Sequence, residues 1–253
     1  MAITWEISPT LFTIGSVEIR WYGLLFSIAF YSSYALMKYM FKKENIPTDK
    51  LDTFSIYLIL GTVIGARLGH CFFYEPQYYF HNPLEIIAVW KGGLASHGGM
   101  IGIIVATWLF TLKYKEYSLL NTLDKLSVIA ASSAVLIRIG NLFNSEIYGK
   151  PTGSDYGVIF KSVDELPRHP TQVYEAIAYF VIFVLLFTLT RNKVFAKNGK
   201  YLGLFLVLTF SSRFFIEYFK VNQSFFENSM VLNMGQILSV IPILVGCYFI
   251  VRK

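Results

Sequence analysis

The sequence predicts an all-α polytopic membrane protein with seven transmembrane helices, forming a single domain over residues 1–253, and three observations carry that prediction. First, 55% of the 253 residues are hydrophobic, 17% are aromatic and only 15% are charged, against about 25% charged in an ordinary soluble domain. Second, seven apolar stretches separate along the chain, at about 19–41, 51–73, 95–113, 121–139, 170–190, 200–218 and 233–251, each close to the ~20 residues that cross a hydrocarbon core as a helix. Third, the basic residues are sorted between alternate connections. The same composition excludes a disordered chain, a coiled coil, a collagen-like repeat and a disulfide scaffold.

The connections at 42–50, 114–120 and 191–199 and the tail at 252–253, with the residues beside them, hold 13 of the 22 basic residues, among them Lys38, Lys42, Lys43, Lys113, Lys115, Arg191 and Arg252. The longer alternate connections hold only Lys91, Lys150, Lys161, Arg168 and Lys220. The positive-inside bias then places the N-terminus outside and the C-terminus in the cytoplasm. The net charge of +6 is thus mainly topology, and no nucleic-acid partner is expected. The first 18 residues lack a basic start and a short apolar core ahead of a cleavage site, so the first span is expected to be retained.

The outer connections carry most of the remaining chain. Asn82-Pro83 followed by LEIIAVWKGG reads as a capped short helix ending at Gly92, with Trp90 and its apolar neighbours suited to a membrane surface. The turn-rich stretch within about 140–169 reads as a small external head. Cys71 and Cys247 fall near opposite ends of their spans and are not expected to pair. No Cys/His ligand spacing is present, so no structural metal is expected; no organic cofactor is expected either.

Four arginines, Arg20, Arg67, Arg138 and Arg213, lie at or inside apolar spans, where each costs at least ~2.5–3.5 kcal/mol on insertion scales unless it snorkels to the interface. Placed on the topology, they share one half of the membrane with the other unusual polar residues: Tyr22, His70, His97, Asn141, Asn144, Glu146, His169, Gln172, Glu175, Glu217, Asn233 and Gln236. Packing needs alone would distribute polar residues to both ends of a bundle. The pattern predicts one outward-facing polar cavity, in which partly desolvated guanidiniums hold an anionic phosphate or carboxylate. A phospholipid head group is the anion most readily found at that depth.

Each residue also has a structural alternative. Glu217 lies four residues after Arg213 and suits a helix-face ion pair as well as a substrate role. Glu146 suits pairing with Arg138, His169 a cap on the fifth span, and His70 an interfacial ring. Gly61, Gly65 and Gly69 form a stripe that lets helices approach closely. His97, between Gly92-Gly93 and Gly98-Gly99, reads as a general-base candidate.

Several stretches resemble the prolipoprotein diacylglyceryl transferase family of bacteria: Arg20-Trp21-Tyr22-Gly23, GARLGHCFFY at 65–74, GGLASHGG at 92–99, RIGNLFNSEIYG at 138–149, HPTQVYEA at 169–176, RFFIEYF at 213–219 and MGQILS at 234–239. They follow the family's order through nearly the whole chain. The resemblance implies an inner-membrane enzyme, its active site toward the outer leaflet, that moves the diacylglyceryl group of phosphatidylglycerol onto the thiol of a lipobox cysteine in a prolipoprotein signal peptide. By motif it implies roles for Tyr22, His97, Arg138, Asn141, Glu146, Gly149 and Arg213, and also for Arg67, Asn144, Glu217 and Gln236. Ile137 stands where the family usually has Gly, and Leu142 where it usually has Phe. After the sixth span the family commonly shows Phe-Arg-x-Pro-Asp, whereas this chain reads Phe219-Lys220-Val221-Asn222-Gln223.

The chemistry requires stabilisation of negative charge growing on a leaving phosphate, for which Arg138 and Arg213 assisted by Asn141 are the expected groups. It also requires a thiolate. His97 is the expected base, unless the arginine field itself lowers the thiol pKa, and Tyr22 is expected to orient the head group. A lipid or solute transporter would use the same arginines but needs polar residues along a path to the other half of the membrane, and none is apparent. A structural scaffold leaves the costly arginines unexplained.

Overall fold

A computed structural model describes residues 1–221 and 230–252. Asn222 and Gln223, within the stretch that departs from the family pattern, lie outside the described residues, as does Lys253. The architecture is predominantly helical, and the described contacts group into two compact units, Met1–Met37 with Asp124–Lys253, and Lys38–Leu123.

Five helices among the described residues are long and apolar enough to cross a membrane: α2 (Leu51–Phe73), α5 (Leu119–Phe143), α6 (Thr171–Arg191), α7 (Lys200–Ile216) with the 3-10 turn Glu217–Phe219 that continues it, and α8 (Met234–Val251). They leave large apolar side chains uncovered along their length, as at Leu60, Ile64, Val181 and Ile241, which is the pattern of helices solvated by lipid. The first and third expected spans are also continuous helices, α1 (Trp21–Lys43) and α4 (Ser96–Lys113), but polar residues interrupt the first and begin the second. Three tyrosines and two serines between Tyr31 and Tyr39 dilute α1, and Ser96-His97-Gly98-Gly99 opens α4.

The first unit departs from a purely α fold by small strands. β1 (Ala2–Trp5) pairs in parallel with β4 (Gly157–Phe160), which pairs antiparallel with β5 (Pro167–Arg168). Hence the chain's first residues complete the sheet of the head. Between them, β2 (Thr10–Ile14) and β3 (Val17–Arg20) form a hairpin turning at Gly15, whose φ of +60° suits glycine. The ring of Phe143 stacks on Trp21 at 4.7 Å and meets Trp5 edge-on at 5.8 Å, tying the chain's start to the end of α5. In the head, Arg168 forks onto Asp164 and donates to the Gly149 carbonyl. Its hydrogen bonds hold the Asp164 carboxyl below the usual carboxylate range.

At the other end of this unit, buried Asp124 accepts from the Gly199 and Leu202 amides at 2.6 and 2.7 Å. It therefore caps α7 from another helix, supplying the partner that Gly199 lacks. α7 and α8 meet where Gly203 faces Gly246, with a Cβ at Gly203 falling 2.8 Å from the Gly246 carbonyl oxygen. α8 continues through Pro242 over its whole length.

In the second unit, α2 and α4 pack through glycine. A Cβ added at Gly61 would fall 2.6 Å from the Gly102 carbonyl oxygen, and one at Gly69 2.8 Å from Gly98 Cα. The predicted small-residue stripe thus meets a matching stripe on α4. The segment after α2 differs from expectation: it forms α3 (Pro76–His81) and two 3-10 turns, Pro83–Ile87 and Val89–Lys91, ending at Gly92. Asn82 makes no side-chain cap, because its amide donates back to the Tyr78 carbonyl instead.

The glycine interface predicts an asymmetry. Gly102→Val, which must displace α2 backbone, is expected to destabilise by about 1–3 kcal/mol or to abolish folding. Gly99→Ala, whose Cβ meets nothing closer than 3.6 Å, should leave the thermal midpoint in detergent nearly unchanged. Equal midpoints for the two variants would contradict close backbone packing.

Candidate active site

In the first unit, contacts gather the unusual polar residues at one end of five elements: the start of α1, the end of α5, the start of α6, the end of α7 and the start of α8. The last turns of α5 carry Arg138 and Asn141, which share a face by their three-residue spacing. Arg138 Nη1 donates to Asn141 Oδ1 at 3.0 Å, and Asn141 Nδ2 donates to Glu146 Oε1 at 2.8 Å. Asn144 adds a longer bond to the same Glu146 oxygen at 3.3 Å. Glu146 thus neutralises Arg138 only at one remove, with Asn141 as the link.

The turn that presents Glu146 is strained. Ser145 and Ile147, on either side of it, have φ of +51° and +57°, a conformation costly for any side chain and more so for a β-branched one. Two buried residues at the start of α6 hold it. Gln172 Nε2 donates to the Glu146 carbonyl at 2.6 Å and Thr171 Oγ1 to the Ile147 carbonyl at 2.7 Å. Gly149 follows where three segments cross. A Cβ there would fall 2.6 Å from both His169 Cβ and the Phe219 carbonyl oxygen, so glycine is required by the close approach.

One turn into α6, Glu175 is completely buried. Its Oε2 lies 2.9 Å from Arg138 Nε as an ion pair, without the alignment of a hydrogen bond. Its Oε1 accepts from Lys220 Nζ at 2.8 Å. Lys220 also lies 3.4 Å from Glu217 Oε2. This geometry corrects the helix-face pairing of Glu217 with Arg213: Glu217 turns to Lys220, on the 3-10 turn that ends α7. Its carboxylate packs on Gly235 at the start of α8, where a Cβ would fall 2.7 Å from Oε1.

Arg213 is then left apart. Half-buried on α7, it has no hydrogen bond or ion pair among the described residues. It nevertheless lies within electrostatic reach of the buried Tyr179 on α6, as does Arg138, so both guanidiniums bear on one small region. Tyr22 lies there too. Its ring packs on Gly140, where a Cβ would meet it at 2.8 Å, and its hydroxyl feels both Glu146 and Arg138. Among the described residues, the buried acceptor atoms Asn144 Oδ1, Gln172 Oε1 and Glu217 Oε2 have no hydrogen-bond donor, although Lys220 Nζ lies 3.4 Å from Glu217 Oε2 as an ion pair. A guanidinium that no described residue pairs, close to buried acceptors without a described donor, suits an anion that also carries hydroxyl groups.

Other expected residues have structural partners. Gln236 forms a capping box with Asn233 at the start of α8, and its Nε2 donates to the Phe214 carbonyl. His169 is no side-chain cap. Its ring packs against Phe219 at 4.9 Å and hydrogen bonds the Tyr174 hydroxyl.

Arg67 and His97 belong to the second unit. Arg67 is buried and directs its donors at carbonyls: Nε at Ile86, Nη1 at Gly92 and Gly93, Nη2 at Glu85, with the cation 5.1 Å from the Tyr79 ring centre. These bonds account for its burial without a substrate, so its geometry is that of a clamp on the segment 85–93. His70 stacks on Tyr74. His97 is the second residue of α4, half-buried, followed by Gly98 packed on α2.

The sequence places Gln172 and Glu175 in the polar cavity without assigning them a role, and it leaves Tyr179 and Lys220 out of the site. A glutamate one turn into an apolar span was itself a signal, since an ionised group there requires a partner. Tyr179 carried none, because an aromatic residue in a span is ordinary.

The model of one protein family, prolipoprotein diacylglyceryl transferase, matches residues 9–252. Among similar proteins is a phosphatidylglycerol–prolipoprotein diacylglyceryl transferase of Chloroherpeton thalassium, 46% identical over 252 residues, covering 99% of this chain and 94% of its own. A protein of the same name from Tolumonas auensis is 45% identical over 242 residues, covering 96% and 94% respectively. Another from Bacteroides fragilis is 41% identical over 264 aligned residues, covering 98% and 94%. With its polar end of helices and the family's motifs in order, this chain belongs to the prolipoprotein diacylglyceryl transferase family.

Proposed function

We propose that the protein is the membrane transferase that moves the diacylglyceryl group of phosphatidylglycerol to the cysteine thiol of a prolipoprotein, the first step of lipoprotein maturation. The observation that carries this reading to particular residues is the half-buried Arg213 guanidinium, which makes no hydrogen bond or ion pair among the described residues and, like Arg138, acts electrostatically on Tyr179. Such a guanidinium in an apolar bundle suits a phosphodiester.

In this reading all seven long helices span the bacterial inner membrane, with the N-terminus outside, the C-terminus in the cytoplasm and the site toward the outer leaflet. The lysine-rich connections support that orientation, and a phospholipid reaches the site sideways from the membrane. Arg213 and Arg138 bind the phosphate. The head-group glycerol hydroxyls donate to Asn144 Oδ1, which has no donor among the described residues, and to Glu217 Oε2, shared with Lys220, and Tyr22 orients the lipid. Asn141 and Glu146 hold Arg138 in place, while Gly149 and Gln236 shape the turn and helix start around it.

The second substrate is a signal peptide with a lipobox cysteine. Its sulfur, as thiolate, attacks the glycerol carbon that carries the phosphate. The carbon–sulfur bond forms as the carbon–oxygen bond breaks, glycerol phosphate leaves with the bonding electron pair, and a thioether remains. The thiol proton passes to His97, the base carried forward by its motif. The guanidiniums act on charge that grows at the leaving oxygen and so lower the barrier of the bond-breaking step.

Arg138→Ala is expected to lower diacylglyceryl transfer to a lipobox peptide in phosphatidylglycerol micelles by at least about 10²–10³-fold, read as peptide mass. Turnover like that of the parent would remove Arg138 from the leaving-group role. For His97→Gln, the loss should shrink as pH rises toward the thiol pKa of about 8.5, because hydroxide then supplies the thiolate. A loss of equal size from pH 6 to pH 9 would instead make His97 a binding or structural residue.

A further inference from the structure

Lys220 is a buried charge at the site with no role in the chemistry above. Only 3% of it is exposed, and its backbone is fixed on both sides. Its amide donates to the Glu217 carbonyl, and the chain around it bridges Gly149, with Lys150 N donating to the Phe219 carbonyl. From there Nζ reaches both buried carboxylates of the site, Glu175 at 2.8 Å and Glu217 at 3.4 Å.

The charge balance makes this placement consequential. Glu175 faces two cations, Arg138 on one oxygen and Lys220 on the other. If Lys220 were neutral, Glu175 and Glu217 would both be left without it, in surroundings that screen poorly. Glu175 would then draw wholly on Arg138, and an incoming phosphate would meet one more unit of uncompensated negative charge. With Lys220 in place, part of the Arg138 charge remains for a ligand, and Arg213 has no hydrogen bond or ion pair among the described residues.

We infer that Lys220 is a positioning residue for the phosphate site: by holding the Glu175 and Glu217 carboxylates it keeps the guanidiniums of Arg138 and Arg213 available to an anionic head group. The inference rests on the transferase reading above. It assigns Lys220 no contact with substrate, and its demand is for charge at that point.

The test compares K220M, K220R and the charge-balanced double variant K220M/E175Q with the parent enzyme in mixed micelles. The readouts are the apparent KM for phosphatidylglycerol, kcat, and inhibition by glycerol 1-phosphate. K220M is expected to raise the KM and the inhibition constant by about tenfold or more, K220R to stay within about threefold of the parent, and K220M/E175Q to recover most of the loss. A structural role alone would reduce the active fraction, and so kcat, with both constants unmoved. Unchanged constants in K220M, or K220R as impaired as K220M, would overturn the inference. Should K220M fail to fold, the double variant carries the test: constants within about threefold of the parent support the inference, and a tenfold rise overturns it. Absence of transfer by the parent enzyme would instead overturn the reading on which the inference rests, a failure distinct from unchanged constants in variants of a parent enzyme that does transfer.

Discussion

The Glu175 carboxylate, without exposed surface, is bound by cations from two other parts of the chain. Ionised and alone, it would be too costly among apolar helices to persist. It therefore obliges Arg138 of α5 and Lys220 beyond α7 to come to it, and so sets how three segments meet. The ordering continues outward: Arg138 holds Asn141, Asn141 holds Glu146, and Lys220 holds Glu217 against the start of α8. In this reading the anion site is what the network leaves over, and Arg213 is a cation that no carboxylate among the described residues claims.

A second constraint is the approach of backbone to backbone. Between helices solvated by lipid, association draws on close packing rather than on the removal of apolar surface from water. Gly203 with Gly246, and separately Gly61, Gly65 and Gly69 with Gly98 and Gly102, supply it. Gly149 meets the same demand outside the helices, where His169 and Phe219 leave no room for a side chain. The strain at Ser145 and Ile147 is maintained by Thr171 and Gln172, which the first turn of α6 aims at the carbonyls of that turn. Rigid helices at this end thus hold a backbone that would relax if left to itself.

Much of the fold was legible in one dimension. The apolar runs mark the long helices to within a few residues, because the need to bury backbone hydrogen bonds in hydrocarbon acts on every residue of a span. The strands were not legible. β1 is four residues long and pairs with β4, some 155 positions later in the register Ala2 with Gly157, and no local pattern encodes a partner so distant. The reading of Asn82 as a cap failed for a related reason: the residue suits a cap, but the turn before it offered the Tyr78 carbonyl first. In the site, Arg138, Arg213, Asn141 and Glu146 stood out by the cost of their placement, whereas Tyr179 has no unusual cost and stayed invisible.

Which residues are expensive is a property of each position in its apolar neighbourhood, and the sequence by itself determined it, along with the long helices and the motifs that mark the family. How that expense is met was decided only by the tertiary structure. Arg67 resembles Arg213 in the sequence, yet backbone carbonyls satisfy the first, and none among the described residues reaches the second. Glu217 is four residues from Arg213 but turns to Lys220. Hydropathy is local, while pairing depends on which side chains three-dimensional packing brings within about 3–4 Å of one another; Glu175 meets its lysine across 45 residues of chain.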